Sequence, residues 1–210
     1  MRSIVMTLAV AGALVACSQG AQNQNNQNQN AATQTPAPLE LTCAAFANMS
    51  GEALAARFGA ENIVDQTRNG PEGETYEATM VFANDPARAL EIIWADPPAH
   101  ARPLTVLVAG EASQWVGPGG LRVGAAIAAV EQANGRPFTL YGFDWDYGGR
   151  VADWRGGALA QSDCRMEANF APQAENPSAS GDQEFASNAP EMRAADPRLT
   201  AIGVRFGAVD

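Results

Sequence analysis

The sequence predicts an α+β fold, two tandem helix-plus-antiparallel-meander repeats packed as one domain over residues 39–210. Three observations point there. Segments MSGEALAARFGAENIV (49–64) and RVGAAIAAVEQANGRPF (122–138) share a helix-then-glycine signature. The run YEATMVF alternates with the period of a half-buried strand, so Tyr76, Ala78, Met80 and Phe82 face one way. One sequence offset relates both a helix and a strand of the first unit to counterparts in the second, the mark of an internal repeat. Helices gathered on one face of an antiparallel sheet make the α+β class.

The chain opens with Met1 and Arg2, then runs without charge from Ile4 to Ala16. Thirteen residues are too few for a spanning helix, which needs about 20. Length and flanks fit the apolar region of a secretory signal peptide over residues 1–16. The run ends Leu14-Val15-Ala16-Cys17, which resembles the lipobox of bacterial lipoproteins. That resemblance covers residues 1 to about 18 and implies cleavage before Cys17 and acylation of its sulfur and new amino group. Two or more acyl chains hold a protein durably at a membrane where one does not. Ser18 rather than Asp follows the cysteine, which by the same resemblance implies an outer-membrane location facing the periplasm.

Residues 17–38 then read as the lipidated cysteine and a disordered tether of Gln, Asn, Ala and Thr, too polar to offset its ordering entropy. A coil of about 21 residues spans roughly 25 Å on average and at most about 70 Å. The formal charge of −10 becomes −11 once Arg2 is removed, and all 13 basic residues are arginine. Nothing in that balance suits a phosphate backbone, so nucleic acid is excluded as a partner. The two remaining thiols, Cys43 and Cys164, read as one disulfide in an oxidising compartment.

Repeat 1 covers about 48–116. Ser50 is placed to cap its helix, Leu54 and Phe58 share a face, and Gly59 ends it. Strands are expected near 74–82, 88–95 and 103–109. Repeat 2 covers about 121–207, with Ile127 and Val130 on one helix face and Gly135 at its end. Its strands are expected near 137–143, 149–155, 163–170 and 198–206. Aligning Gly59 with Gly135 gives an offset of 135 − 59 = 76, which also sets RALEIIW (88–94) on CRMEANF (164–170). Further on, PLTVLV (103–108) matches RLTAIG (198–203), and the extra length falls in a loop-like insertion at 171–197, rich in turn formers. Two such units could join their sheets edge to edge and cover edges that invite aggregation.

The motif LRVGAAIAAVEQANG (121–135) resembles the helix entry of small outer-membrane assembly lipoproteins and of tandem-repeat β-lactamase inhibitor proteins. It departs at Ala125 and Ala126, where that pattern has Met and a capping Ser or Thr. The resemblance implies a fold and carries no activity with it.

Chemistry is sparse. His100 is the single histidine, in the loop DPPAHARP, and reads as a solvated loop residue. No nucleophile motif accompanies it, and the chain cannot supply a zinc ligand set. The glycine-rich GPGGLRVG (117–124) lacks the lysine of a phosphate loop and reads as a turn between repeats. No catalytic residue, metal or cofactor is assigned.

The richest stretch is YGFDWDYGGRVADW (141–154). Its candidate binding surface is Phe143, Asp144, Trp145, Asp146, Tyr147 and Trp154. As an alternating strand it would set Phe143, Trp145 and Tyr147 on one side and both aspartates on the other. A plain hairpin turning at Tyr147-Gly148-Gly149 is the simplest reading, and Asp144 with Asp146 gives only the start of a calcium loop. Two functions remain in view. One is a non-enzymatic, membrane-anchored envelope lipoprotein, a binding or assembly module for an envelope protein or wall polymer acting through an aromatic sheet surface. The alternative is a small envelope hydrolase using Asp144, Asp146 or Asp153, which needs two carboxylates facing a cleft about 5 to 9.5 Å apart.

Overall fold

The computed structural model describes residues 39–160 and 164–207. The signal peptide, Cys17 and the tether lie outside the described residues. Helix α1, Cys43–Phe46, starts where the Thr42 side chain accepts from the Ala45 amide. Helix α2, Gly51–Phe58, is capped by Ser50 through the Ala53 amide and ends at Gly59, as its residues foretell. Its apolar stripe goes inward: Leu54 is fully buried, and Phe58 meets Phe82 edge-on at 5.8 Å.

Four strands follow in a meander: β1 Ile63–Asn69, β2 Thr75–Val81, β3 Leu90–Trp94 and β4 Pro103–Ala109. Helix α3, Ile127–Asn134, comes next, then β5 Thr139–Tyr141, β6 Val151–Asp153 and β7 Cys164–Ala171. The chain ends with β8 Glu184–Ala186, helix α4 Pro190–Ala194 and β9 Arg198–Phe206. Six strands form one antiparallel sheet in the order β1-β2-β3-β4-β9-β7, and a smaller sheet runs β6-β5-β8. This is an α+β architecture dominated by its sheets.

Alternation assigns the two faces of the large sheet. Leu90, Ile92 and Trp94 of β3, Val106 and Val108 of β4, and Ile202 and Val204 of β9 enter one core with Phe46, Leu54, Ile127, Val130 and Met192 of the helices. The opposite face is open. Across it, register aligns Val64, Met80, Glu91, Leu107, Gly203 and Glu167 in one cross-strand row. Tyr76, Ala78 and Met80 share that open face, while Phe82 leaves the strand at a positive φ of 53° and returns to the core.

Three expectations need correction. Residues 63–69, to which the sequence assigned no element, form an edge strand. The 171–197 segment is no mere loop: β8 pairs with β5, and Met192, Ser187 and Ala179 are fully buried. His100 stacks on Trp94 with ring centroids 4.8 Å apart and planes 14° from parallel, so one of its faces is covered.

Ala126, as expected, offers no side-chain cap to α3. The Ile127 amide instead donates to the Pro197 carbonyl at 3.2 Å, so the entry to β9 does the capping. At the other end of α3, the side chain of Asn134 is 1% exposed and joins three separate pieces of chain. Its Nδ2 donates to the carbonyls of Arg136 and Trp154, and its Oδ1 accepts from the Leu159 amide. Cys43 and Cys164 form a disulfide with Cα atoms 5.9 Å apart, tying α1 to the first residue of β7.

Candidate functional site

The 141–154 stretch breaks into a short strand, a tight loop and a second short strand. After Tyr141 the chain leaves β5, and Phe143 exchanges backbone bonds with the 171–197 segment, accepting from Gly181 and donating to Ala179. That pairing turns the Phe143 side chain inward, to 2% exposure. Asp144 follows at φ 65°, with its carboxylate accepting from Ser180 Oγ at 2.8 Å. The change of direction sends Trp145 the other way. Its indole Nε1 donates to the Gly142 carbonyl at 2.9 Å, which fixes the ring. The Gly149 amide donates to Tyr141 and the Tyr141 amide donates to Arg150, closing the loop so that β6 can begin at Val151.

The alternating aromatic face is therefore rearranged. Phe143 and Trp154 are core residues, Trp154 being 4% exposed and donating from Nε1 to the Met166 carbonyl. The aromatic wall that does form consists of Tyr141, Trp145 and Tyr147. Tyr141 and Trp145 meet edge to face at 5.5 Å, and Trp145 and Tyr147 are tilted by 60° at 5.2 Å.

This wall borders a cleft of about 580 Å³ between the 141–154 loop, β6 and the open face of β7. That volume lies within the range of small-molecule sites, roughly 300–1,000 Å³. On the β7 side, the Glu167 carboxylate is shared by two guanidinium groups, Arg165 Nε at 3.2 Å and Arg150 Nη2 at 3.5 Å. Its side chain is 14% exposed, so the pairing offsets a desolvation cost. Arg205 of β9 lies directly across from Arg165 in the register, on the same face. Cys164 is the neighbour of Arg165, so the disulfide secures this end of β7.

Of the three aspartates considered for hydrolysis, only Asp153 borders the cleft. It holds the Arg155 amide at 2.7 Å. Asp146 accepts from the Glu72 amide at 3.0 Å, and Asp144 is bonded to Ser180. The trio thus does not supply two carboxylates facing one cleft. Sequence reasoning missed Tyr141, Arg150, Arg165 and Glu167 as site residues. The signal was present in CRMEANF, where Arg165, Glu167 and Asn169 occupy the polar face of an alternating strand.

A second recess borders His100, Trp94, Asp65 and Glu77. Three of its polar groups have partners in the sheet: Trp94 Nε1 donates to Thr79 Oγ1, which donates to Asp65, and Glu77 accepts from Thr67 Oγ1. Among the described residues no cluster of His, Cys, Asp or Glu has the makings of a metal site, and no helix is long and apolar enough to cross a membrane. No family model, curated protein or solved structure matches the chain.

Proposed function

We propose that this chain is a lipid-anchored lipoprotein of the bacterial envelope, held at the outer membrane through Cys17 and facing the periplasm. Its folded part is a non-enzymatic recognition module that holds an envelope partner in the cleft beside the 141–154 loop. The observation that carries the reading is the aromatic wall itself. Besides the buried Trp154, three part-exposed aromatic side chains, Tyr141, Trp145 and Tyr147, border one open cleft. Aromatic anchors of this kind dominate binding energy at interfaces.

The same proposal includes descent from two copies of one unit. Support comes from the offset of 76. Applied to α2, Gly51–Phe58, it lands on α3, Ile127–Asn134. It carries the first residue of β1, Ile63, to the first residue of β5, Thr139, and Thr75 of β2 to Val151 of β6. Leu90–Trp94 of β3 falls within β7. The last strands of the two units, β4 and β9, pair antiparallel, joining the units edge to edge.

The test is a photo-crosslinking amino acid placed at Tyr147 in the full-length protein in its own envelope, with Glu111 as a control position. An adduct formed at 147, absent at 111 and lost with Trp145→Ala, supports recognition through the cleft. No adduct at 147, or one indifferent to Trp145→Ala, removes it.

A further inference from the structure

We infer that the cleft takes a saccharide bearing a carboxylate, with the sugar ring against Trp145 and the carboxylate at Arg165, which borders the cleft, and at Arg205, which stands opposite Arg165 on the neighbouring strand β9. This rests on the reading of the cleft as a recognition site and names its ligand class. Two independent features of the structure meet there. One is the aromatic wall, whose tilted rings leave faces and edges for the apolar face of a pyranose rather than a slot for one flat base.

The other is the charge on the strands beside it. In a chain of net charge −10, Arg150 and Arg165 share the Glu167 carboxylate, and Arg205 of β9 stands across from Arg165 on the same face. Arg165 and Arg205 stand directly opposite each other, and like charges in that position destabilise a sheet. Among the described residues Glu167 pairs with Arg165 and Arg150. Arg205 thus faces a like charge whose carboxylate is already shared. An incoming carboxylate relieves this, and guanidinium is the group that binds carboxylate in a fork of two hydrogen bonds.

The rim narrows the class further. Asp153 and Asp182 also border the cleft, and their oxygens accept from hydroxyl groups. A phosphate-rich ligand would meet them as like charges. A sugar with many hydroxyls and a single carboxylate fits both halves of the lining.

Two probes separate the halves: N-acetylmuramic acid and N-acetylglucosamine differ by one lactyl carboxylate on a common ring. Calorimetric titration of the mature protein at low salt should show N-acetylmuramic acid bound about tenfold more tightly or better, the order expected of hydrogen bonds to a charged group. Arg165→Gln should bring the two affinities together. Arg205→Gln, which disturbs no ion pair among the described residues, should do the same without lowering thermal stability. Trp145→Ala should weaken both sugars alike. Equal affinity for the two probes in the parent protein, or a preference untouched by both arginine variants, overturns the inference. Binding of neither sugar also overturns it. In that case an adduct at Tyr147 that depends on Trp145 leaves the recognition reading standing, and the lack of one removes both.

Discussion

Asn134 offers the sharpest test of how the stretch from α3 to β7 is held together. Its amide is buried, and each of its three hydrogen bonds ends on a backbone group of a different segment: Arg136 after the helix, Trp154 after β6, and Leu159 in the approach to β7. Asn134→Ala strands two carbonyls and one amide in the interior. At about 1 kcal/mol for each bond, and with a small void added, the loss should reach about 3–4 kcal/mol. For a folded part of this size, that lowers the midpoint of thermal unfolding by roughly 6–16 °C. Asn134→Leu restores volume without bonds and should recover little of the loss, because polar satisfaction rather than packing is at stake. Urea unfolding followed by tryptophan fluorescence reads both variants, and an unchanged slope would place the effect in the native state. A loss below about 1 kcal/mol for Asn134→Ala would refute the assignment of this side chain as the joint.

Three further outcomes follow from particular contacts. Reducing the Cys43–Cys164 bond, which spans 121 residues, should lower stability by about 5 kcal/mol in the chain-entropy treatment; urea midpoints with and without reductant check it, and a change under about 1 kcal/mol contradicts it. Gly149→Ala should cost about 3 kcal/mol, since φ is 76° and a Cβ there collides with the Phe170 carbonyl oxygen; a variant that melts like the parent contradicts that close approach. Tyr76 is pushed above the ordinary tyrosine value, first by burial and then by the Glu91 carboxylate that its hydroxyl donates to, with Arg68 pulling the other way. A folded value raised above the unfolded one means stabilisation complete below about pH 10 and lost as pH climbs through the raised value. Tyr76→Phe should therefore flatten the alkaline arm of the stability curve while costing roughly 1 kcal/mol at neutral pH. An alkaline arm identical in the variant would refute it.

Where side chains alternate between core and solvent, the sequence is readable. Strands β3, β4 and β7 place apolar residues at every second position because one face of each is buried, whereas in β9 a bulge interrupts the period between Leu199 and Ile202. Edge strand β1, IVDQTRN, has neither face deeply buried, so no period marks it. Strand β8 and helix α4 are too short, at 3 and 5 residues, for any period to show, and Met192 reaches the core from within a run of turn formers. The aromatic stretch was visible as a concentration of side chains, but its directions were not. Asp144 at positive φ and the pairing of Phe143 with the 171–197 segment reverse the alternation at that point. The cleft was less legible still, because it exists only where β6 and the loop come to lie beside β7. That juxtaposition is a product of tertiary packing, as is the stacking of His100 on Trp94.

The proposed envelope role requires Cys17 as a lipid anchor, and the fold uses Cys43 with Cys164 as a staple. Intact mass of the protein taken from native membranes, before and after reduction and alkylation, tests both at once. The predicted result is a chain that begins at residue 17, carries acyl groups there, and gains two alkyl labels only after reduction. A chain with residues 1–16 still attached, or without acyl groups, or with Cys43 and Cys164 labelled before reduction, would contradict it.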